Sequence, residues 1–257
     1  MNDLPLNKEA EALGNTLLEI SMLLMISGAS TGRIRNTVDR ISNRFGFITY
    51  TLVSQRTITI SIYDDSDRCL FNSLKRTKPH AVNFKIIAEV SRISWQIVEE
   101  KWSLEQINAA IGKLGELHHY PRLLVLLFTG LATASFCRLA GGELPEMSAV
   151  FAGTVLGLFV RQEASKMRFN FYLCVFFSAL TASLLTGFIC KMVPGINAEI
   201  SMVTSILFLI PGIPLINAFA DMLDGNLQNG LLRGLNGMII SFSIALGLFT
   251  SVAIYRF

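Results

Sequence analysis

The chain has 257 residues, a formal net charge of +3 and 16% charged residues. Its mean hydropathy of +0.49 is too high for an ordinary soluble domain, and so small a net charge gives no argument for a nucleic-acid partner. Of 41 acidic and basic residues, 28 fall in the first 122 positions, so a polar part precedes an apolar one. Cys69, Cys137, Cys174 and Cys190 share no C-x-x-C spacing; they read as small apolar residues, neither a metal site nor a disulfide frame. The first residues lack a basic segment followed by an apolar run, so no cleaved signal peptide is expected.

Residues 1–28 carry a wide apolar helical face, through Leu13, Leu17, Ile20 and Leu24, and stop at Gly28. Ser30 or Thr31 caps a second helix, about 32–45, with an apolar stripe of Ile34, Val38, Ile41 and Phe45. Its arginines, Arg33, Arg35, Arg40 and Arg44, read as a solvated basic face or as a contact to anionic headgroups. Residues 47–54, 57–63 and 68–74 are rich in β-branched and aromatic residues and predict three strands. Asp64, Asp65 and Asp67 supply a hairpin turn; they lack the glycine and distant glutamate of a calcium loop. Residues 82–102 return to helical period, and Ser103 with Gln106 forms a capping box for a short helix to about Leu117. The adjacent His118 and His119 point to different faces and suit a linker better than a metal. Residues 1–118 thus predict a small soluble α/β domain.

From Tyr120 onward the pattern is that of a membrane protein. Five spans are predicted, at about 121–139, 147–160, 169–191, 198–224 and 235–255, so residues 119–257 form a transmembrane domain. Gly153 and Gly157 have the small-xxx-small spacing of close helix contact. Basic residues concentrate in the loop after the second span, at Arg161, Lys166 and Arg168. That side is expected to be cytosolic, and with it the N-terminal domain.

The fourth span is interrupted. Pro211, Gly212 and Pro214 prevent one unbroken helix. A second short helix is expected from about Pro214 to Asp224, stopping at Gly225. Asn217, Asp221, Asp224 and Gln228 share one of its faces; Ile216, Phe219, Ala220 and Leu223 share the other. Broken helices at membrane depth build substrate sites in secondary transporters. The competing reading is a re-entry loop with an interfacial helix and ordinary solvated acids.

No P-loop, metalloprotease helix, serine-hydrolase elbow or Cys-His signature occurs, so the chain reads as a non-enzyme without a cofactor. The half-helix after the break offers free N–H groups and a positive dipole end to a carboxylate. Asp221 and Asp224 suit an ammonium group or a coupling proton. Arg161 and Gln162, at the cytosolic end of the second span, suit a substrate carboxylate; Arg161 equally suits Glu163 or a snorkelling position among headgroups. A zwitterionic amino acid or a dicarboxylate fits such a set.

The pattern L-x-P-G-x-P-L-I-N-A-x-A-D-M-x-x-G at Leu209–Gly225 resembles the threonine/serine exporter (ThrE) family. So does the order of parts, a soluble domain followed by five spans, most like the larger, YjjP-like subunit of the split form. S-G-A-S-T at Ser27–Thr31, Y-P-R at Tyr120–Arg122, F-C-R-L-x-G-G at Phe136–Gly142 and V-R-Q at Val160–Gln162 extend the resemblance over nearly the whole chain. The resemblance implies a bacterial inner-membrane exporter of small amino or carboxylic acids, driven by an ion gradient. It also implies a separate small membrane partner, because fused members carry a second membrane half; a homo-oligomer is the other source of that half. Pro211, Gly212, Pro214, Asn217 and Asp221 carry over as motif positions.

The expectation is therefore an α-helical membrane protein with an N-terminal soluble α/β domain, acting as a subunit of a secondary exporter of threonine/serine or succinate-like dicarboxylates. Cargo would sit near the break, with Asp221 sensing proton or substrate and Asn217 beside it. Two alternatives stand: a membrane-anchored regulator whose soluble domain binds a ligand, and a passive organic-acid channel.

Overall fold

A computed structural model describes residues 3–77, 82–115 and 120–256. The chain packs into two compact units. One holds residues 1–118 with 213–234, the other 119–212 with 235–257.

The first unit begins with α1 (Asp3–Ile26) and α2 (Thr31–Arg44). Gly28 adopts φ +87°, which lets the Ala29 N–H reach Leu24 O and the Gly28 N–H reach Met25 O. This closes α1 with a left-handed cap that disfavours a side chain. Ser30 is the N-cap of α2 and accepts from the Arg33 N–H. An antiparallel meander follows: β1 (Ile48–Val53), β2 (Thr57–Tyr63) and β3 (Cys69–Arg76), in the order β1-β2-β3. Ile58, Ile60 and Ile62 alternate onto one face of β2 and are fully buried. They meet Leu13 and Leu17 of α1 and Ile34 and Ile41 of α2 in one core. Asp64 Oδ1 accepts from the Ser66 and Arg68 N–H groups. Its carboxyl is held below the usual carboxylate range, chiefly by that Arg68 N–H, so the turn uses its own carboxylate.

α3 (Phe84–Glu99) is capped by Asn83. α4 (Leu104–Gly115) opens on the predicted box, with the Ser103 N–H donating to Gln106 Oε1 at 2.8 Å. Its predicted extension to Leu117, and His118 and His119, lie outside the described residues. Among the described residues, three of the four α2 arginines have partners. Arg40 stacks over Trp95, Arg35 donates to Asn226, and Arg44 donates to the Lys101 carbonyl.

The second unit contains α5 (Arg122–Leu139), α6 (Leu144–Lys166), α7 (Phe171–Met192) and the short α8 (Ala198–Ser205), which runs into a 3₁₀ turn at Leu207–Leu209. α9 (Gly212–Leu223) and α10 (Leu227–Tyr255) each supply residues to both units. Among the described residues, α5, α6, α7 and α10 are long and apolar enough to cross a membrane; α8 with α9 qualifies only as a broken span. α6 and α7 pack closely at the predicted glycines. A Cβ on Gly157 would stand 2.8 Å from the Ser178 carbonyl, and one on Gly153 2.7 Å from that of Ala182.

Among the predicted boundaries that move, three have a direct cause in the structure. The second span is a longer helix, because Glu143 and Glu146 form a capping box that starts it at Leu144. The last helix starts at Leu227, eight residues before the predicted 235, because its polar first turns are held by tertiary bonds. The helix after the break starts at Gly212, because Pro214 falls in its first turn, where the missing N–H has no intrahelical partner to lose.

Candidate functional site

The fourth apolar stretch breaks where the prolines require it. Pro211 has no N–H, and its ring disfavours a helical residue before it. Ile210 accordingly turns extended, with ψ 127°. The groups released by the break find partners within the same unit. The Ile210 N–H donates to Leu207 O and the Gly212 N–H to Ile210 O. The carbonyl of Ser205, at the end of α8, accepts from Thr154 Oγ1 of α6 at 3.0 Å, and Thr133 Oγ1 of α5 lies 2.9 Å behind Thr154. These three residues are buried. An apolar groove of about 640 Å³ runs along α5 past Phe128, Thr129, Thr133 and Phe136 to Leu207 and Phe208.

In the first unit, α9 and the first turns of α10 hold the turn between α1 and α2. Asn217 Nδ2 donates to the Gly28 carbonyl at 2.7 Å. Asp221 is wholly buried. Its Oδ1 accepts from the Thr31 N–H at 2.9 Å and its Oδ2 from Thr31 Oγ1 at 3.1 Å. Arg233 Nε stands 3.3 Å from the same carboxylate, and the guanidinium also donates to the Ala29 carbonyl. Asn229 Nδ2 donates to the Val53 carbonyl at 2.7 Å. A carboxylate at the first N–H of α2 satisfies a donor with no helical partner and complements the helix dipole.

The local sequence explains this grip. Asn217 and Asp221 are four residues apart, one helical turn, so they share a face. Gly225 adopts φ +80° and ends α9, with the Asn226 N–H reaching Asp221 O and the Gly225 N–H reaching Met222 O. The chain turns there into α10. Gly230 fits against Ala218 and Met222; a Cβ on it would stand 2.7 Å from the Ala218 carbonyl. Asp224 is exposed but its Oδ2 overlies Gly32, 2.6 Å from where a Cβ would be.

The predicted residues therefore divide. Asn217, Asp221 and Asp224 gather around Gly28–Gly32, so the P-G-x-P block and the S-G-A-S-T stretch meet. Pro214 lies in the first turn of α9, and Pro211 and Gly212 form the break itself. Arg161 and Gln162 belong to α6 in the other unit. Gln162 Oε1 accepts from Arg122 Nε, and Arg122 also pairs with Glu163. Lys166 takes the same Glu163 oxygen at 3.0 Å. The Arg161 guanidinium lies 5.6 Å over the Phe171 ring and makes no ion pair among the described residues.

Sequence reasoning missed four contributors. Glu146 is buried and joins two helix starts, accepting from the Glu143 N–H at 3.0 Å and from the Asn197 N–H, at the cap of α8, at 2.9 Å. The Glu143-x-x-Glu146 spacing before an apolar run was the available signal. Thr133 and Thr154 lie inside predicted spans, with nothing local to single them out. Arg233 precedes the predicted last span, and nothing local ties it to Asp221.

Comparison with known proteins identifies the family. Residues 15–255 match the family described as "Putative threonine/serine exporter", ThrE. Two relatives, each called "Probable succinate transporter subunit YjjP", come from Klebsiella aerogenes and Escherichia coli K12. Each is 23% identical over 250 residues, covering 96% of this chain and 95% and 96% of the respective relatives. No solved structure matches the chain. The match over nearly the full length, with the P-G-x-P block and its partner turn both present, makes this chain a member of the threonine/serine exporter family.

Proposed function

We propose that the chain is the larger subunit of a bacterial inner-membrane secondary exporter, moving small amino acids or succinate-like dicarboxylates outward with a small membrane partner. Family membership supports transport, and the relatives named as succinate transporter subunits support both the dicarboxylate and the partner. The observation that carries the reading is the interrupted fourth stretch. A helix that only anchors a regulator gains nothing from a Pro-Gly-x-Pro break, whereas alternating access uses one.

In this reading cargo meets the backbone at Pro211 and Gly212, and Pro214 keeps the break open at the start of α9. Arg161 supplies the cation for a substrate carboxylate, with Gln162 beside it. Asn217 and Asp221 act by position, because their polar atoms are bonded to Gly28 and Thr31. They hold the turn at residues 28–31 in register with α9, and Asp224 lies at the edge of that contact. The N-terminal domain faces the cytosol.

The test is efflux of labelled succinate and threonine from loaded cells that express the chain, the small partner, both or neither. Efflux is expected only with both, and it should collapse with the proton gradient. Efflux that survives the loss of the gradient would favour the passive channel. No efflux of either acid would return the chain to the regulator reading.

A further inference from the structure

α9 has its polarity reversed relative to a helix packed in a soluble domain. Its polar face is consumed, with Asn217 and Asp221 bonded to the Gly28–Thr31 turn. Its apolar face is bare: Ile216, Phe219 and Leu223 are 70%, 68% and 87% exposed. Three large apolar side chains on one face of a 12-residue helix need a cover, because each exposes area worth roughly 1.5–3 kcal/mol when buried.

The occupant follows from what α9 is joined to. Only Asp224, Gly225 and Asn226 separate it from α10, a 29-residue helix. α10 is about 43 Å long at roughly 1.5 Å per residue. That exceeds a hydrocarbon core of about 30 Å and matches a bilayer with its headgroup layers. The exposed side of α10 is apolar from its first turn, through Leu227, Leu231, Leu235, Met238, Phe242 and Phe249. Its first two turns pack against α9 at Gly230. Asp224 and Gln228, beside the junction of the two helices, are exposed.

We propose that α9 is a membrane-interface helix: Ile216, Phe219 and Leu223 sit in the boundary between headgroups and acyl chains, as amphipathic helices do at about 5–10 Å depth. The same helix grips the first unit through Asn217 and Asp221, so one element fastens the Gly28–Thr31 turn to the bilayer surface. The proposal concerns lipid contact and does not depend on the cargo or on efflux.

The test uses the full chain in lipid nanodiscs, with Trp95 and Trp102 replaced by phenylalanine and a single reporter introduced by Phe219→Trp or, separately, Ile216→Trp. Leu52→Trp, on the exposed side of β1, is the control. Lipids brominated near the headgroup should quench both α9 reporters at least twofold, lipids brominated near the chain end should quench them less, and neither should quench the control. α9 reporters quenched by aqueous iodide and not by brominated lipid would overturn the proposal. So would reporters shielded from both quenchers, which would place a protein surface over the helix.

Discussion

Asp221 of α9 accepts two hydrogen bonds from Thr31, 190 positions earlier in the chain, one from its backbone N–H and one from its hydroxyl. The carboxylate does the work of a helix cap from another part of the sequence. It is wholly buried and its charge is opposed by Arg233. A buried ion pair adds little over an apolar replacement, but removing one partner strands the other.

That asymmetry gives the first prediction. Asp221→Ala should destabilise the first unit by about 3–5 kcal/mol, since it leaves the Arg233 charge and the Thr31 donor without their partner. The double variant Asp221→Ala with Arg233→Met should recover part of the loss. Thermal unfolding of the detergent-solubilised protein, followed by tryptophan fluorescence, reads both. Equal midpoints for the single and double variants would mean that the pair is not coupled.

Glu146 carries the second. Glu146→Ala frees the Asn197 N–H at the start of α8 and the Glu143 N–H at the start of α6. Amide exchange at Asn197 should accelerate at least tenfold, while Glu146→Gln, which keeps an acceptor oxygen, should accelerate it less. Unchanged exchange in the alanine variant would remove Glu146 from the cap.

Thr154→Val tests the break itself. The substitution preserves shape and removes the hydroxyl bonded to the Ser205 carbonyl. A buried carbonyl left without a donor costs about 1–3 kcal/mol. The 3₁₀ turn at Leu207–Leu209 should loosen, seen as faster labelling of a cysteine placed at Leu207 (L207C, with native cysteines replaced). Thr133→Val should have a smaller effect, being one bond further away.

Close packing of α6 on α7 yields the fourth. Gly157→Leu forces bulk against Ala182 and the Ser178 carbonyl, both within 3 Å of an added Cβ. Overpacking of this kind costs about 1–3 kcal/mol. The midpoint of thermal unfolding should fall; Gly112→Ala, where a Cβ meets nothing within 4 Å in the helix α4, should not lower it, since alanine is the better helix former.

Local chemistry made much of the fold readable. Ser30, the Ser103–Gln106 box, Gly28 and Gly225 mark helix ends by side-chain and φ requirements that a few neighbouring residues settle. The break at Pro211 and the Gly153/Gly157 contact are likewise local rules. What escaped depends on distant partners. Asn229 and Arg233 look like loop residues until their acceptors, Val53 and Ala29, are brought in from 176 and 204 positions away. The acidic first turn of α6 resembles a loop until Glu146 is seen to cap two helices. Periodicity correctly set Asn217 and Asp221 on one face of α9, yet hydropathy could not say that this face turns into the protein while Ile216, Phe219 and Leu223 turn out.

Transport through the interrupted stretch is best judged by replacing Pro211 and Pro214. Pro211→Ala, made together with Pro214→Ala, restores both N–H groups and lifts the restraint on Ile210, allowing α8 and α9 to join. Efflux of labelled succinate and threonine should be measured from loaded cells that co-express the small partner, with the variant present in the membrane at the normal amount. The account predicts at least a tenfold loss of efflux of whichever acid the unmodified protein exports; efflux equal to that of the unmodified protein would contradict it.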